Sequence, residues 1–418
     1  MDKLKGPLAV VALLTLLFAS AMPTTIPRAH AVTALIMGGT YQPDPAKVPN
    51  FMADTARLYL APTSSCQVDN CELVSMVTPE ELAPFVGTLT LDESVAQGVT
   101  DLNAGLLNRL ASHPGEKIVI SGSSQSAVIA SIEKRNLTNA SSTVRSQLEF
   151  VFTGNPDRPN GGVLERFAPL SIPFLGFTFN GATSTDTGIT TTDISFQYDI
   201  AADFPRYPLN VFALLNTFIG IGIHGSYVLT RDGYTEAELA DAIADPANRQ
   251  TYGDTTYITI PTKHLPLVQP LRDFGTSTGT TAFTTPVADL IEPTLRVLVE
   301  LGYDRSIGYG TPAPAGLFPK IDPVKLRADL AAASDKGIND ALADLAAPAS
   351  SSRARPPSAP SARATKAGPK VTSLSAKKSS TPVTRPHRLH RDAKGSPENV
   401  NSGASQPDRT ARQRTSAP

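Results

Sequence analysis

The sequence predicts an α/β fold, a mainly parallel sheet flanked by helices, and three observations carry that reading. Short, mostly apolar runs recur along the chain and end in glycine, aspartate or proline. Amphipathic stretches of helical spacing separate the first of these runs. The runs show little of the in-out alternation of a half-exposed strand, so they suit strands covered on both faces, as in a parallel sheet. In such sheets ligands bind beyond the carboxyl ends of the strands.

In chain order, Val32 to Met37 is the first run and ends in Gly38-Gly39. Asp92 to Ser112 has helical periodicity and leads to Lys117 to Ile120 (KIVI), which runs through Ser121 into Gly122. Ser126 to Arg135 is the next helix. Leu148 to Phe152 (LEFVF) ends in Gly154-Asn155-Pro156, Ile194 to Tyr198 ends at Asp199, and Thr255 to Ile260 ends at Pro261. Pro159 to Thr190 and Gly233 to Gly253 have weaker patterns; the first reads as a lid, a substrate-contact insertion or a plain surface excursion. Helix Val287 to Glu300 and the Leu317-Phe318 region are assigned to the far edge of the fold.

The net charge of −1 over 418 residues hides a strong asymmetry. Residues 348–418 hold fourteen Lys or Arg against three Asp or Glu, whereas residues 32–347 hold twenty against thirty-four. An acidic body repels phosphate, which argues against nucleic acid as a partner. Outside the N-terminus the chain has no apolar run of the ~18 residues or more that mark a membrane span.

Residues 1–31 read as an export signal. Lys3 and Lys5 precede an apolar stretch from Pro7 to Ala21, with A-x-A sites at Ala19-Ser20-Ala21 and Ala29-His30-Ala31. Cleavage after Ala31 is preferred, an uncleaved anchor being the alternative. The expected location is therefore secreted or cell-envelope associated. Export permits oxidation, so Cys66 and Cys71 are expected to form a small-loop disulfide, with two free thiols as the competing reading. They cannot make a metal site alone, and no metal or cofactor is expected. Residues 348–418, rich in Pro, Ser, Ala, Thr, Arg and Lys, read as a disordered basic tail that could contact an anionic envelope surface. One domain, residues 32–347, remains between the two ends.

The most informative segment runs from Lys117 to Ala130, where Ser124 stands at a strand-to-helix corner in G-x-S-x-S. Small residues at Gly122 and Ser126 permit the sharp turn of a nucleophile elbow, which exposes the hydroxyl and points the Gln125 N–H toward a developing oxyanion. A general base must follow. His113 lies at the wrong end of the sheet, while His224 and His264 both come after Ser124, and spacing favours His224. The orienting acid is Asp199, directly after a strand, or Asp203 four residues on, with Asp157 a distant third. Thr40, after Gly38-Gly39, offers an N–H or a hydroxyl as the second oxyanion donor.

These residues resemble the PE-PPE domain, a cutinase-like serine α/β hydrolase of mycobacteria and their relatives. The resemblance runs from about Leu35 to Leu271 and rests on ordered motifs. They are Gly38-Gly39-Thr40 with Pro43, Ser124 to Ala127, Gly154 to Gly162, Gln197 to Pro205, His224-Gly225-Ser226-Tyr227, and Thr256-Tyr257 with Leu265 to Leu267. The elbow departs from the family's frequent Gly-Tyr-Ser in reading Gly-Ser-Ser, and a signal peptide is expected where the family has a PE or PPE domain. Secretion is therefore expected not to depend on a PE/PPE partner. The resemblance implies Ser124, an acid in the Tyr-Asp segment and His224, acting on carboxylic esters or transferring acyl groups between envelope lipids. The expected function is a secreted serine carboxylesterase or lipase acting on acyl esters. An acyltransferase with the same triad is the first alternative, and an inactive envelope-binding protein the second.

Overall fold

The computed structural model describes residues 32–346, with the exception of Leu229. The readings of 1–31 as a signal and of 348–418 as a tail lie outside the described residues. The first half contains β1 (Val32–Ile36), α1 (Phe51–Thr55), β2 (Cys71–Ser75), α2 (Leu91–Ser112), β3 (Lys117–Ser123), α3 (Gln125–Asn136), α4 (Ser142–Arg145) and β4 (Leu148–Thr153). Then come α5 (Val163–Arg166), β5 (Ser171–Ile172), β6 (Phe177–Thr178), β7 (Thr190–Phe196), α6 (Val211–Ile219) and α7 (Ile221–His224). The rest comprises α8 (Glu236–Ala244), β8 (Arg249–Tyr252), β9 (Thr255–Ile260), α9 (Gln269–Thr278), α10 (Thr281–Glu300) and α11 (Pro323–Ala346).

Seven strands form one sheet in the order β2-β1-β3-β4-β7-β9-β8, parallel throughout except for β8, which runs antiparallel to β9. Strand residues alternate between the two faces and each face has its own core. Val119, Val151, Ile194 and Ile258 pack on one side; Ile118, Ile120, Phe150 and Phe152 pack against α2 and α3 on the other. This double burial is why the strands read as apolar runs. Helix α2 starts where Thr90 and Glu93 form a capping box, each side chain accepting from the other's backbone N–H.

Register positions the site. Ile36 pairs with Ser121, Ser123 with Thr153, Thr153 with Ile194, and Phe196 with Ile260. The carboxyl ends of β1, β3, β4, β7 and β9 thus finish along one edge, and the segments beginning at Met37, Ser124, Gly154 and Gln197 leave from it together.

Three parts differ from the sequence reading. The edge strands β2 and β8 were not anticipated. β8 is exposed along its whole length, so no hydrophobic pattern marks it. The segment from Pro159 to Thr190 holds α5 and the β5–β6 hairpin, which is tied to the start of α2: the Thr178 N–H donates to Asp92 Oδ1 at 2.9 Å and the Asp92 N–H to the Gly176 carbonyl at 2.9 Å. The assignment of α10 and Leu317-Phe318 to a far edge is corrected. Glu300, the last residue of α10, accepts from Tyr198 Oη at 2.8 Å and Gln197 Nε2 at 3.0 Å beside the end of β7. The Gly316 N–H donates to the Arg206 carbonyl at 2.8 Å, which brings Leu317 and Phe318 next to the chain entering α6.

Candidate active site

β3 passes into α3 through Ser124, whose φ of 57° and ψ of −119° put a non-glycine residue in a strained conformation at the corner. The turn is too tight for side chains on its inner side. A Cβ added at Gly122 would lie 2.6 Å from the Ser126 carbonyl oxygen and 2.8 Å from Ala127 Cα. Ser126, where glycine is usual, uses its hydroxyl to close the turn, accepting from the Ser123 N–H at 2.8 Å. The Ser124 N–H donates to the Thr153 carbonyl at 3.0 Å, tying the corner to β4.

The hydroxyl of Ser124 lies 2.7 Å from His224 Nε2, and His224 Nδ1 lies 2.8 Å from Asp199 Oδ1. With the proton on Nδ1 donated to the carboxylate, Nε2 accepts from the serine, the arrangement a general base requires. Asp199 is fully buried. Its Oδ1 also accepts from the Ala201 N–H at 2.7 Å, and its Oδ2 accepts from Tyr227 Oη at 2.6 Å. Burial pushes the Asp199 carboxyl up, but the His224 charge and the hydrogen bonds outweigh it and hold it below the ordinary carboxylate value. Burial likewise works to lower the His224 imidazole, and the Asp199 charge with its hydrogen bond leaves the net shift upward.

The other candidates lie elsewhere. Asp203 accepts from the Tyr198 N–H at 2.8 Å and pairs with both terminal nitrogens of Arg305 at 2.6 and 3.0 Å, so it braces the turn that carries Asp199. His264 is 3.6 Å from Glu292 and half-exposed, away from the serine. His113 ends α2, at the amino-terminal side of β3. Asp157 is buried against Asn180, 2.8 Å away, and burial pushes it up to about 7.

The Gln125 peptide N–H is the first of α3, one of the helix-start donors that have no partner within the helix. The loop after β1 comes alongside, since a Cβ on Gly39 would sit 3.1 Å from Ser124 Cβ. The Thr40 hydroxyl is engaged elsewhere: it donates to Gln125 Oε1 at 2.9 Å, while Gln125 Nε2 donates to the Glu81 carbonyl at 2.8 Å and Ser94 Oγ at 3.0 Å. Of the two donors expected from Thr40, this leaves the peptide N–H for an oxyanion. Cys66 and Cys71 are joined as a disulfide that ends at the first residue of β2.

Two site residues escaped the sequence reading. Tyr227 donates to Asp199 and accepts from the Phe196 N–H at 3.1 Å, locking the acid to the end of β7. Gly154 has a φ of +60°, and a Cβ there would come 3.0 Å from the Tyr227 ring, 3.2 Å from His224 Cε1 and 3.3 Å from Asp199 Oδ2. Both stand in motifs already singled out, His224-Gly225-Ser226-Tyr227 and Gly154-Asn155-Pro156, but nothing in either spacing marks a residue that touches a buried carboxylate.

The family model of the PE-PPE domain matches residues 70–304, starting after the Gly38-Gly39-Thr40 turn and continuing into the loop beyond α10. The uncharacterized PPE family protein PPE42 of Mycobacterium tuberculosis (strain CDC 1551 / Oshkosh) is 42% identical over 324 residues, 76% of this chain and 52% of that protein. Esterase PE16 of M. tuberculosis (strain ATCC 25618 / H37Rv) is 40% identical over 308 residues, 72% of this chain and 54% of its own length. The SL1278 acyltransferase Chp1 of that strain is 27% identical over 302 residues, 69% of this chain and 66% of the relative. The chain thus spans about half the length of PPE42 and PE16. With the model covering more than half of its residues and PPE42 matching three quarters of them, this chain belongs to the PE-PPE domain family.

Proposed function

We propose that the protein is a serine ester hydrolase of the carboxylesterase or lipase type, acting on neutral acyl esters. The observation that carries this reading is the hydrogen-bonded series Ser124–His224–Asp199 on the carboxyl edge of a parallel sheet. Ser124 Oγ attacks the ester carbonyl as its proton passes to His224 Nε2. The carbonyl oxygen becomes an oxyanion, held by the N–H groups of Gln125 and Thr40. When the C–O bond breaks, Nε2 returns the proton to the departing alcohol and the acyl group stays on Ser124. Water, deprotonated by the same nitrogen, releases the acid. Asp199 fixes the tautomer and stabilises the imidazolium. Esterase PE16 supports hydrolysis by its name, and the acidic body favours neutral over anionic substrates.

Acyl transfer is the second reading, and the named acyltransferase among the relatives favours it. It needs only a sugar or lipid hydroxyl in place of water. Product analysis with glycolipid acceptors present separates the two: free acid as sole product excludes transfer. We propose in addition that the protein works outside the cytoplasm, in keeping with residues 1–31 as a signal and with the disulfide. The test of the catalytic reading is labelling by a fluorophosphonate. Intact protein is expected to label and Ser124→Ala to lose both label and ester turnover. An intact chain that neither labels nor turns over esters leaves only the binding-protein reading.

A further inference from the structure

The helix that leads to His224 is built inside out. α6 turns Ala213, Asn216 and Thr217 inward, all fully buried, while Val211, Phe212, Leu215, Phe218 and Ile219 lie 42 to 63% exposed. The inward polar groups are engaged: Asn216 Oδ1 accepts from the Leu267 N–H at 3.0 Å, and Thr217 Oγ1 donates to the Ala213 carbonyl at 3.0 Å. A helix facing water places its large apolar residues the other way. The exposed series continues with Ile221, 59% exposed, the first residue of α7, and His224 is the fourth and last residue of that helix. Leu317 and Phe318, 71 and 74% exposed, follow Gly316, whose N–H donates to the Arg206 carbonyl ahead of α6. Between Arg206 and Arg231 there is no Asp, Glu, Lys or Arg.

We propose that this face docks the enzyme on the surface of a neutral lipid phase, so that an acyl ester enters the site without crossing bulk water. The inference rests on the acyl-ester reading of Ser124, His224 and Asp199. Two observations favour lipid over a second copy of the chain. The half-exposed side chains of one nine-residue helix present roughly a few hundred Å², below the ~800 Å² per partner that a stable protein interface buries. Along α6 and α7 themselves no Asp, Glu, Lys or Arg is present to pair with a protein surface. The absence of Lys and Arg sets it apart from helices that seek anionic headgroups, so its affinity comes from apolar burial.

The test is flotation of the full chain with vesicles of phosphatidylcholine and diacylglycerol, alongside turnover of a water-soluble short-chain ester. Wild type is expected to float equally in low and high salt. Leu215→Asp with Phe218→Asp is expected to lose vesicle binding and hydrolysis of the vesicle-borne ester at least tenfold, about the factor carried by one buried Leu or Phe. Its soluble-ester turnover, which also reports folding, is expected to stay within about twofold, because both side chains are about half exposed and neither belongs to the triad. If that pair does not fold, Leu215→Asn with Phe218→Asn replaces it with the same expectations. Wild type that turns over soluble ester yet stays in the aqueous fraction overturns the proposal. So does binding confined to anionic vesicles and abolished by salt, or a dimer that the double substitution converts to monomer. Loss of soluble-ester turnover by wild type counts against the catalytic reading, while flotation still decides the docking.

Discussion

At the scale of single residues, Asp199 and Asp203 are the informative pair. Both follow β7, both are buried and both accept backbone hydrogen bonds, yet one faces an imidazole and the other a guanidinium. Asp199→Asn is expected to reduce kcat by about 10³ to 10⁴-fold with the fold intact, since the amide favours the wrong His224 tautomer. Asp203→Asn is expected to retain the chemistry and to lose about 1–3 kcal/mol of stability, because Arg305 then keeps Glu300 as its one charged partner of these two; denaturant unfolding with parallel kinetics checks both. The pH profile gives a further expectation. His224 must be neutral to act as base and its affinity for a proton is raised, so kcat/KM falls as pH drops through a value above the ordinary imidazole value of 6.5. In Asp199→Asn the raising charge is gone and burial remains, so the acid limb of the residual activity moves to lower pH. Tyr227→Phe acts in the opposite sense. A carboxylate that loses the tyrosine hydroxyl holds the imidazolium more tightly, so the limb moves up, a change that a merely structural role would not produce.

At the scale of elements, legibility followed burial. β1, β3, β4, β7 and β9 are the inner strands, paired on both edges; the apolar runs of β1, β3 and β4 are plain in the sequence, whereas β7 buries Thr191, Thr192, Asp193 and Ser195, so the run read at Ile194 to Tyr198 catches only its end. β2 and β8 lie at the two sheet edges, where one flank has no partner strand among the described residues and most side chains are partly or fully exposed, so their patterns fade into polar loop. α6 misleads in another way, because its apolar residues point outward and its periodicity does not mark the core. The disulfide belongs to the β2 edge. Closing so short a loop limits the unfolded chain by about 2 kcal/mol, so reduction or a double Cys→Ser change is expected to lower Tm by a few degrees. Ester turnover should persist, since β2 is separated from β3 by β1; a thermal melt and an ester assay on the same sample test the pair of expectations.

For the whole molecule, charge divides the chain into an acidic body and a basic C-terminal stretch. We propose that residues 348–418 take no part in the chemistry. Truncation after Ala347 is expected to leave turnover of a water-soluble ester within about twofold, and steady-state assays of both forms check it. The sequence by itself determined the α/β class, the strand-to-helix corner at Ser124 and the short set of acids and histidines that could serve it, because these depend on local pattern: burial periodicity, small residues in a tight turn, order along the chain. Only the tertiary structure decided which acid meets which histidine. Asp199 and Asp203 are four residues apart on one turn, and what separates them is Arg305, 102 positions from Asp203, and Tyr227, 28 positions from Asp199. Partners that distant are selected by packing, and the low dielectric around a buried carboxylate makes each one decisive, since a charge left unpaired there costs more than the fold can spare.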